Sequence, residues 1–203
     1  MRRTNIKRKT SETDIAVSLL IDGKGKSDIN TGIGFLDHML VLLAKHGLFD
    51  LKIKAKGDLE VDIHHTNEDV GICLGQAFSK ALGAKKGIKR FSTAYVPMDE
   101  ALVRTVLDIS GRPRLDIYIY DAYLEKKSAG SRKKTEGYTL NDAKQFLQGF
   151  VLNSGINMNI GLLEGEDLHH VLEAMFKSLA LALKEAVTRD KRVSGVPSTK
   201  GRL

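Results

Sequence analysis

Two stretches, His64-His65-Thr66-Asn67-Glu68 and His169-His170-Val171-Leu172-Glu173, carry one pattern, His-His-x-x-Glu, and their surroundings repeat with them. Before the first copy come apolar residues at helical spacing (Phe35–His46), Gly47 and alternating strand sequence; an amphipathic helical stretch follows it. Before the second come the helical stretch Asn141–Asn153, Gly155 and strand sequence, again with a helix after it. From glycine to first histidine is 17 residues in one set and 14 in the other. The doubled order predicts an α+β fold of duplicated half-domains, each a sheet backed by helices. We read residues 1–203 as one domain whose halves run approximately 1–90 and 91–203.

Outward from these motifs, alternation predicts strands over Thr10–Leu20, Leu51–Lys56 and Asp58–Ile63, the last two as a hairpin around Gly57. Further strands are read over Thr93–Ile109, Arg114–Tyr120 and Ile156–Leu163, with a turn at Ser110-Gly111-Arg112-Pro113. Helical spacing predicts helices over Phe35–Leu48, closed by Gly47, and over Asn67–Leu82, Asn141–Leu152 and His169–Val187. Lys126–Gly137 has no apolar periodicity and reads as an exposed loop, and the tail Ser194–Leu203 as irregular.

Composition narrows the function classes. Hydrophobic residues make up 42% and charged residues 28%, the balance of a soluble globular chain. The longest apolar runs, Ile15–Ile21 and Met39–Ala44, are too short to span a bilayer, and no apolar segment follows the basic start as a leader requires. The single cysteine, Cys73, excludes an internal disulfide framework and fits a reducing cytoplasm; it reads as a small core residue. The net charge of +7 comes largely from Arg2–Lys9 and Lys126–Lys134, which read first as solvated faces. No aromatic RNA-binding signature or zinc-finger spacing accompanies them, so nucleic acid is not expected as a partner.

Chance yields one His-His-x-x-Glu in roughly one chain in a hundred of this length, so two copies are a signal. On a helix, residues i and i+4 share a face. His64 with Glu68, and His169 with Glu173, are therefore two-point clamps, while His65 and His170 point roughly 100° away. Each motif offers a pair to one metal and a single histidine to another. Nitrogen and carboxylate ligands without thiolate suit Mn²⁺, Zn²⁺, Fe²⁺ or Ni²⁺. His46, just before Gly47, reads as a helix C-terminal histidine facing the dipole. His38 can be a core histidine whose tautomer Asp37 sets.

The chain resembles the imidazoleglycerol-phosphate dehydratase family over nearly its whole length. The segments that carry the resemblance are Arg8–Thr13, Thr31–Leu40, Asp62–Asp69, Met98–Leu102, Ser110–Pro113, His169–Lys177 and Pro197–Gly201. It implies a ribosomal protein S5 domain 2-like fold with a pseudo-twofold. It also implies a cytoplasmic lyase that dehydrates D-erythro-imidazole glycerol phosphate to imidazole acetol phosphate in L-histidine biosynthesis, through a metal-bound imidazolate. Two Mn²⁺ ions per active site are implied, and a homo-oligomer of 24 subunits with the sites between subunits.

By the same resemblance one metal takes His38, His65, His169 and Glu173. The other takes His64, Glu68, His170 and, from the helix before the last strand, Gln145. Glu12 is the leading acid/base candidate, with His64, Glu68 and Glu173 at the reacting centre. Arg90, Arg112, Ser198 and Lys200 match phosphate-binding positions; guanidinium and hydroxyl groups suit phosphate oxygens. Lys177 and His46 fall in substrate-contacting segments, and the substrate also meets His38, His64, His65, Glu68 and His169.

Three positions depart from the family pattern. Gln145 stands where many members carry a metal-binding histidine, and its neutral carbonyl oxygen is a weaker ligand than imidazole. Asn159 replaces a usual histidine, and Leu42 an often substrate-facing glutamine. An alternative reading follows: a divergent dimetal relative acting on another phosphorylated azole or small metabolite.

Overall fold

The computed structural model describes residues 1–119 and 137–203. Alternation of apolar and polar residues builds the central strands. In β2 (Thr13–Leu20), Ile15, Val17 and Leu19 turn inward, and in β6 (Ala101–Asp108) Ala101, Val103 and Leu107 do the same. The first half adds β1 (Arg3–Lys9), β3 (Ser27–Asn30), α1 (Gly34–Gly47), β4 (Asp50–Gly57) and α2 (His64–Leu82). The second adds β5 (Phe91–Met98), β7 (Arg114–Tyr118), α3 (Leu140–Ser154), β8 (Asn157–Glu164) and α4 (Leu168–Val187).

Among the described residues each half has the order β-β-β-α-β-α. The sheets run β1-β2-β4-β3 and β5-β6-β8-β7, with the same antiparallel pairs and a parallel final pair in each. The duplication read from the histidine motifs is therefore present in the backbone. The helices pack between the sheets and cross-pair, α1 against α4 and α2 against α3. One continuous core joins both halves, from Ile15 and Ile53 to Phe146, Met175 and Leu183. Burial of such side chains at about 25 cal/mol per Å² is the dominant stabilising term.

The α2–α3 crossing is close because glycines line it. A Cβ on Gly71 would fall 2.3 Å from Phe146 O, one on Gly75 2.4 Å from Phe150 O, and one on Gly149 2.9 Å from Glu68 O. These contacts keep α2 and α3 parallel and in register, with Asn67 Nδ2 donating to Asp142 O at 2.8 Å. Tyr138, buried just before α3, donates to Asn67 Oδ1 at 2.8 Å. Thr139 and Asp142 then form a reciprocal capping box.

The structure corrects several element readings. Asp58–Ile63 forms turns, not a strand, because β4 is already paired on both sides, by β2 and β3. Thr93–Ile109 is two strands, turning at Asp99, whose φ is 47°. Helix α1 includes Gly47 and is closed by Leu48, which takes the left-handed conformation at φ 57°. Helix α2 begins at His64, not Asn67. Tyr120 and the loop Lys126–Gly137, apart from Gly137, lie outside the described residues. Among the described residues no helix is long and apolar enough to cross a membrane.

Candidate functional site

Both His-His-x-x-Glu motifs open a helix, and both are held by the same device. Asp62 Oδ1 accepts from His64 N at 2.9 Å, and Asp167 Oδ1 accepts from His169 N at 2.7 Å. The repeated unit is thus Asp-x-His-His-x-x-Glu. The aspartate satisfies a free N–H of the first turn and so fixes where the histidine ring starts. The shared aspartate was visible in the sequence as the same residue two positions before each motif.

The two halves meet in a histidine–carboxylate cluster. Glu173 Oε1 lies 2.9 Å from His38 Nε2 and 3.1 Å from His169 Nε2. Lys177 Nζ donates to Glu173 Oε2 at 2.5 Å and also contacts Met98 Sδ at 3.3 Å. Burial alone would raise the Glu173 carboxyl, but hydrogen bonds from Lys177, His38 and His169 outweigh it and hold it at about 2. Glu173 is therefore an anion across the physiological range. His38 is half-exposed and is not a core residue. Asp37 does not set its tautomer; Asp37 Oδ1 accepts from Thr31 N at 2.8 Å and from Thr31 Oγ1 at 2.6 Å.

One ligand atom from each of His38, His169 and Glu173 lies within 4.8 Å of the others, the one such group among the described residues. Two imidazole nitrogens converging on one carboxylate fit a borderline or hard divalent ion. His65 stands apart from this cluster. Its Nδ1 is 3.0 Å from Asp58 Oδ2 and 3.9 Å from Glu12 Oε2. The Asp58 hydrogen bond raises its pKa. Glu12 is exposed in the bend just before β2, where its N–H donates to Thr10 Oγ1 at 3.1 Å.

His64 and Glu68 form the expected i,i+4 clamp, with Nε2 and Oε2 3.7 Å apart. His170 faces the β5–β6 turn, its Nδ1 2.7 Å from Glu100 Oε2 and its Nε2 3.5 Å from Asp99 Oδ2. Glu100 raises the His170 pKa. Burial opposes ionisation of Glu100, but hydrogen bonds from Asp167 N, His170 and Glu166 N hold it at about 2. Gln145 is half-buried on α3. Asp58 and Glu100 escaped the sequence reading, because an acidic partner outside the motif has no fixed spacing from its histidine. Each is placed to orient an imidazole.

His46 ends α1, and burial, then Lys177 and Lys184, push its pKa down. Arg90 is paired with Asp108, and Arg112 lies exposed in the turn whose Ser110 Oγ accepts from Arg112 N at 3.1 Å. Ser198 is half-buried and Lys200 exposed; Lys200 N donates to Ser198 Oγ at 3.2 Å.

Two like sheet–helix halves with a histidine–carboxylate cluster across them define a duplicated α+β protein with a candidate metal centre. A family model described as imidazoleglycerol-phosphate dehydratase matches residues 31–183. The chain is 59% identical over 203 residues to the imidazoleglycerol-phosphate dehydratase of Caldanaerobacter subterraneus subsp. tengcongensis, covering all of both chains. It is 52% identical to that of Acetivibrio thermocellus, over 100% of this chain and 99% of the relative. The crystal structure of the Staphylococcus aureus enzyme superposes with a TM-score of 0.79 at 35% identity, over 93% of this chain and 99% of that one. The Pyrococcus furiosus enzyme superposes with a TM-score of 0.80 at 35% identity, over 98% and 100%. The chain belongs to the imidazoleglycerol-phosphate dehydratase family, the metal-dependent hydro-lyases of histidine biosynthesis.

Proposed function

We propose that the protein converts D-erythro-imidazole glycerol phosphate to imidazole acetol phosphate at the site built around Glu173. The observation that carries this reading is the convergence of His38 and His169, one from each half, on a single Glu173 oxygen. In the overall reaction the side chain loses a hydrogen from one carbon and a hydroxyl from its neighbour, and the enol so formed becomes the ketone. Bound divalent metal stabilises negative charge developing on the imidazole ring.

This chain's residues supply the rest. His38, His65, His169 and Glu173 form one proposed ligand set, and His64, Glu68, His170 and Gln145 the other; Mn²⁺ is the proposed ion, two per site. Among the described residues only His38, His169 and Glu173 converge, so neither set is complete within the chain, which supports sites completed by neighbouring subunits in a homo-oligomer of 24. Glu12, exposed beside His65, is proposed to move the proton at the side-chain carbon and the departing hydroxyl. Arg90, Arg112, Ser198 and Lys200 are proposed to hold the phosphate. Lys177 keeps Glu173 ionised and oriented, and His46, kept neutral by burial, is proposed to face the substrate. One domain with halves 1–90 and 91–203, working in the cytoplasm, completes the proposal.

The test is an assay of the Mn²⁺-loaded protein with imidazole glycerol phosphate, with metal content measured on the same sample. Formation of the acetol phosphate with about two metals per chain is expected. No turnover with metal bound would favour a relative acting on another phosphorylated azole.

A further inference from the structure

We propose that Asp108 is a positioning residue for the anion cradle: through Arg90 it holds the Pro197–Lys200 turn, and so Ser198 and Lys200, in place. The inference rests on the reading that Arg90, Ser198 and Lys200 hold the substrate phosphate.

Arg90 is fixed at both ends. Its backbone is left-handed at φ 75°, an uncommon conformation for a residue with a side chain. Its N–H donates to Ala186 O at 2.9 Å, and its carbonyl accepts from Ile109 N at 3.1 Å. Its guanidinium meets Asp108 as a fork, Nε to Oδ1 at 2.7 Å and Nη2 to Oδ2 at 3.0 Å. Nη1 then donates to Pro197 O at 2.8 Å. Of five guanidinium N–H donors, three are committed and two are left for a ligand.

The tail is held at few points. It forms no helix or strand; Gly195 O accepts from Gly87 N at 2.8 Å, and beyond it the backbone bonds are local, Ser198 N to Val196 O at 2.7 Å and Gly201 N to Ser198 O at 3.0 Å. Its far end lies on the turn after β6, since a Cβ on Gly111 would fall 2.6 Å from the carboxyl carbon of Leu203. The segment is therefore anchored at Gly195, at Pro197 and at Leu203, and the bond from Arg90 to Pro197 is the side-chain anchor next to Ser198 and Lys200. Few buried contacts make such a segment easy to release when one anchor is lost.

The sign of the effect separates positioning from simple charge. A carboxylate near an anion site repels phosphate, so removing it should tighten binding if Asp108 is only a neighbouring charge. If Asp108 positions Arg90 and the tail, removing it weakens binding. The variant is Asp108→Asn in the full-length, Mn²⁺-loaded protein, and the probes are inorganic phosphate and imidazole glycerol phosphate. We expect phosphate affinity to fall and KM to rise by roughly tenfold each, with kcat within about twofold, the scale of one charged hydrogen-bond network. Amide exchange at 198–201 should accelerate while that of α2 stays unchanged. Arg90→Lys keeps the charge but loses the fork; the double variant should be no worse than Arg90→Lys alone.

Unchanged or tighter phosphate binding, or additive losses in the double variant, would overturn the proposal. If Asp108→Asn does not fold, Asp108→Glu carries the same test with the carboxylate displaced by one methylene. Phosphate binding needs no turnover, so the two readings fail separately. A wild-type protein that binds phosphate without dehydrating the substrate, and loses phosphate in Asp108→Asn, would keep the positioning role and sink the substrate. A wild-type protein with no phosphate affinity would sink the cradle and the role together.

Discussion

His38 Nε2 lies 2.9 Å from Glu173 Oε1, although 135 residues separate them. The contact joins α1 of the first half to α4 of the second, and Lys177 holds the carboxylate's other oxygen. One side chain therefore ties the halves together, stays ionised because its pKa is held down to about 2, and gathers the imidazoles.

Glu173→Gln should remove that charge without changing the side chain's size. Loss of outer-shell partners costs metal sites about 10–100-fold in affinity, and loss of a ligand should cost at least the upper figure. Metal retained after dialysis should drop, activity should fall with it, and Lys177 should be left without its anion. Full metal retention in this variant would remove Glu173 from the ligand set.

Gln145→His should tighten the proposed second metal set. Gln145 on α3 and His38 on α1 each stand ten residues before the left-handed residue that closes their helix, Gly155 and Leu48. The substitution gives both halves the same imidazole. A chelator-competition titration should show one class of site strengthened by roughly tenfold or more, because imidazole is the better donor. Unchanged affinity would show that position 145 does not ligate.

Gly71→Ala should destabilise the fold at the α2–α3 crossing. The added methyl would meet Phe146 O at 2.3 Å, and backbone cannot swing away as a flexible side chain can. Overpacking of this kind costs about 1–3 kcal/mol, and the midpoint should fall by roughly 2–4 °C per kcal/mol in a chain of this size. Thermal unfolding of the metal-free variant measures it; an unshifted midpoint would mean that the helices separate at no cost.

Stability should decline at alkaline pH through Cys73. Burial pushes its thiol up to about 11. The folded chain thus keeps a proton that the unfolded chain gives up near pH 8.5–9, so unfolding becomes easier as pH rises from about 9 towards 11. The loss is on the order of 2 kcal/mol. Urea unfolding of the wild type and Cys73→Ala at pH 8 and pH 10.5 separates this contribution; parallel profiles would rule it out.

Much of the fold was legible where pattern and structure share a period. The strands β2, β6 and β8 and the four helices among the described residues follow local apolar spacing, and the duplicated order of elements was readable from the repeated motif. β1 was not readable, because as an edge strand it buries only Thr4 and otherwise shows a run of basic residues. β3 has only four residues, too few for alternation to register. Asp58–Ile63 alternates like a strand, yet β4, its neighbour across Gly57, is already paired on both sides.

By itself the sequence determined the two clamps, because residues four apart on a helix share a face whatever surrounds them. Only the tertiary structure decided that His38 meets Glu173, that Asp58 and Glu100 orient His65 and His170, and that Asp108 reaches the tail through Arg90. Those contacts depend on how the sheets and helices of the two halves stack. No local periodicity encodes a distance between segments that the chain brings together only when the shared core is buried.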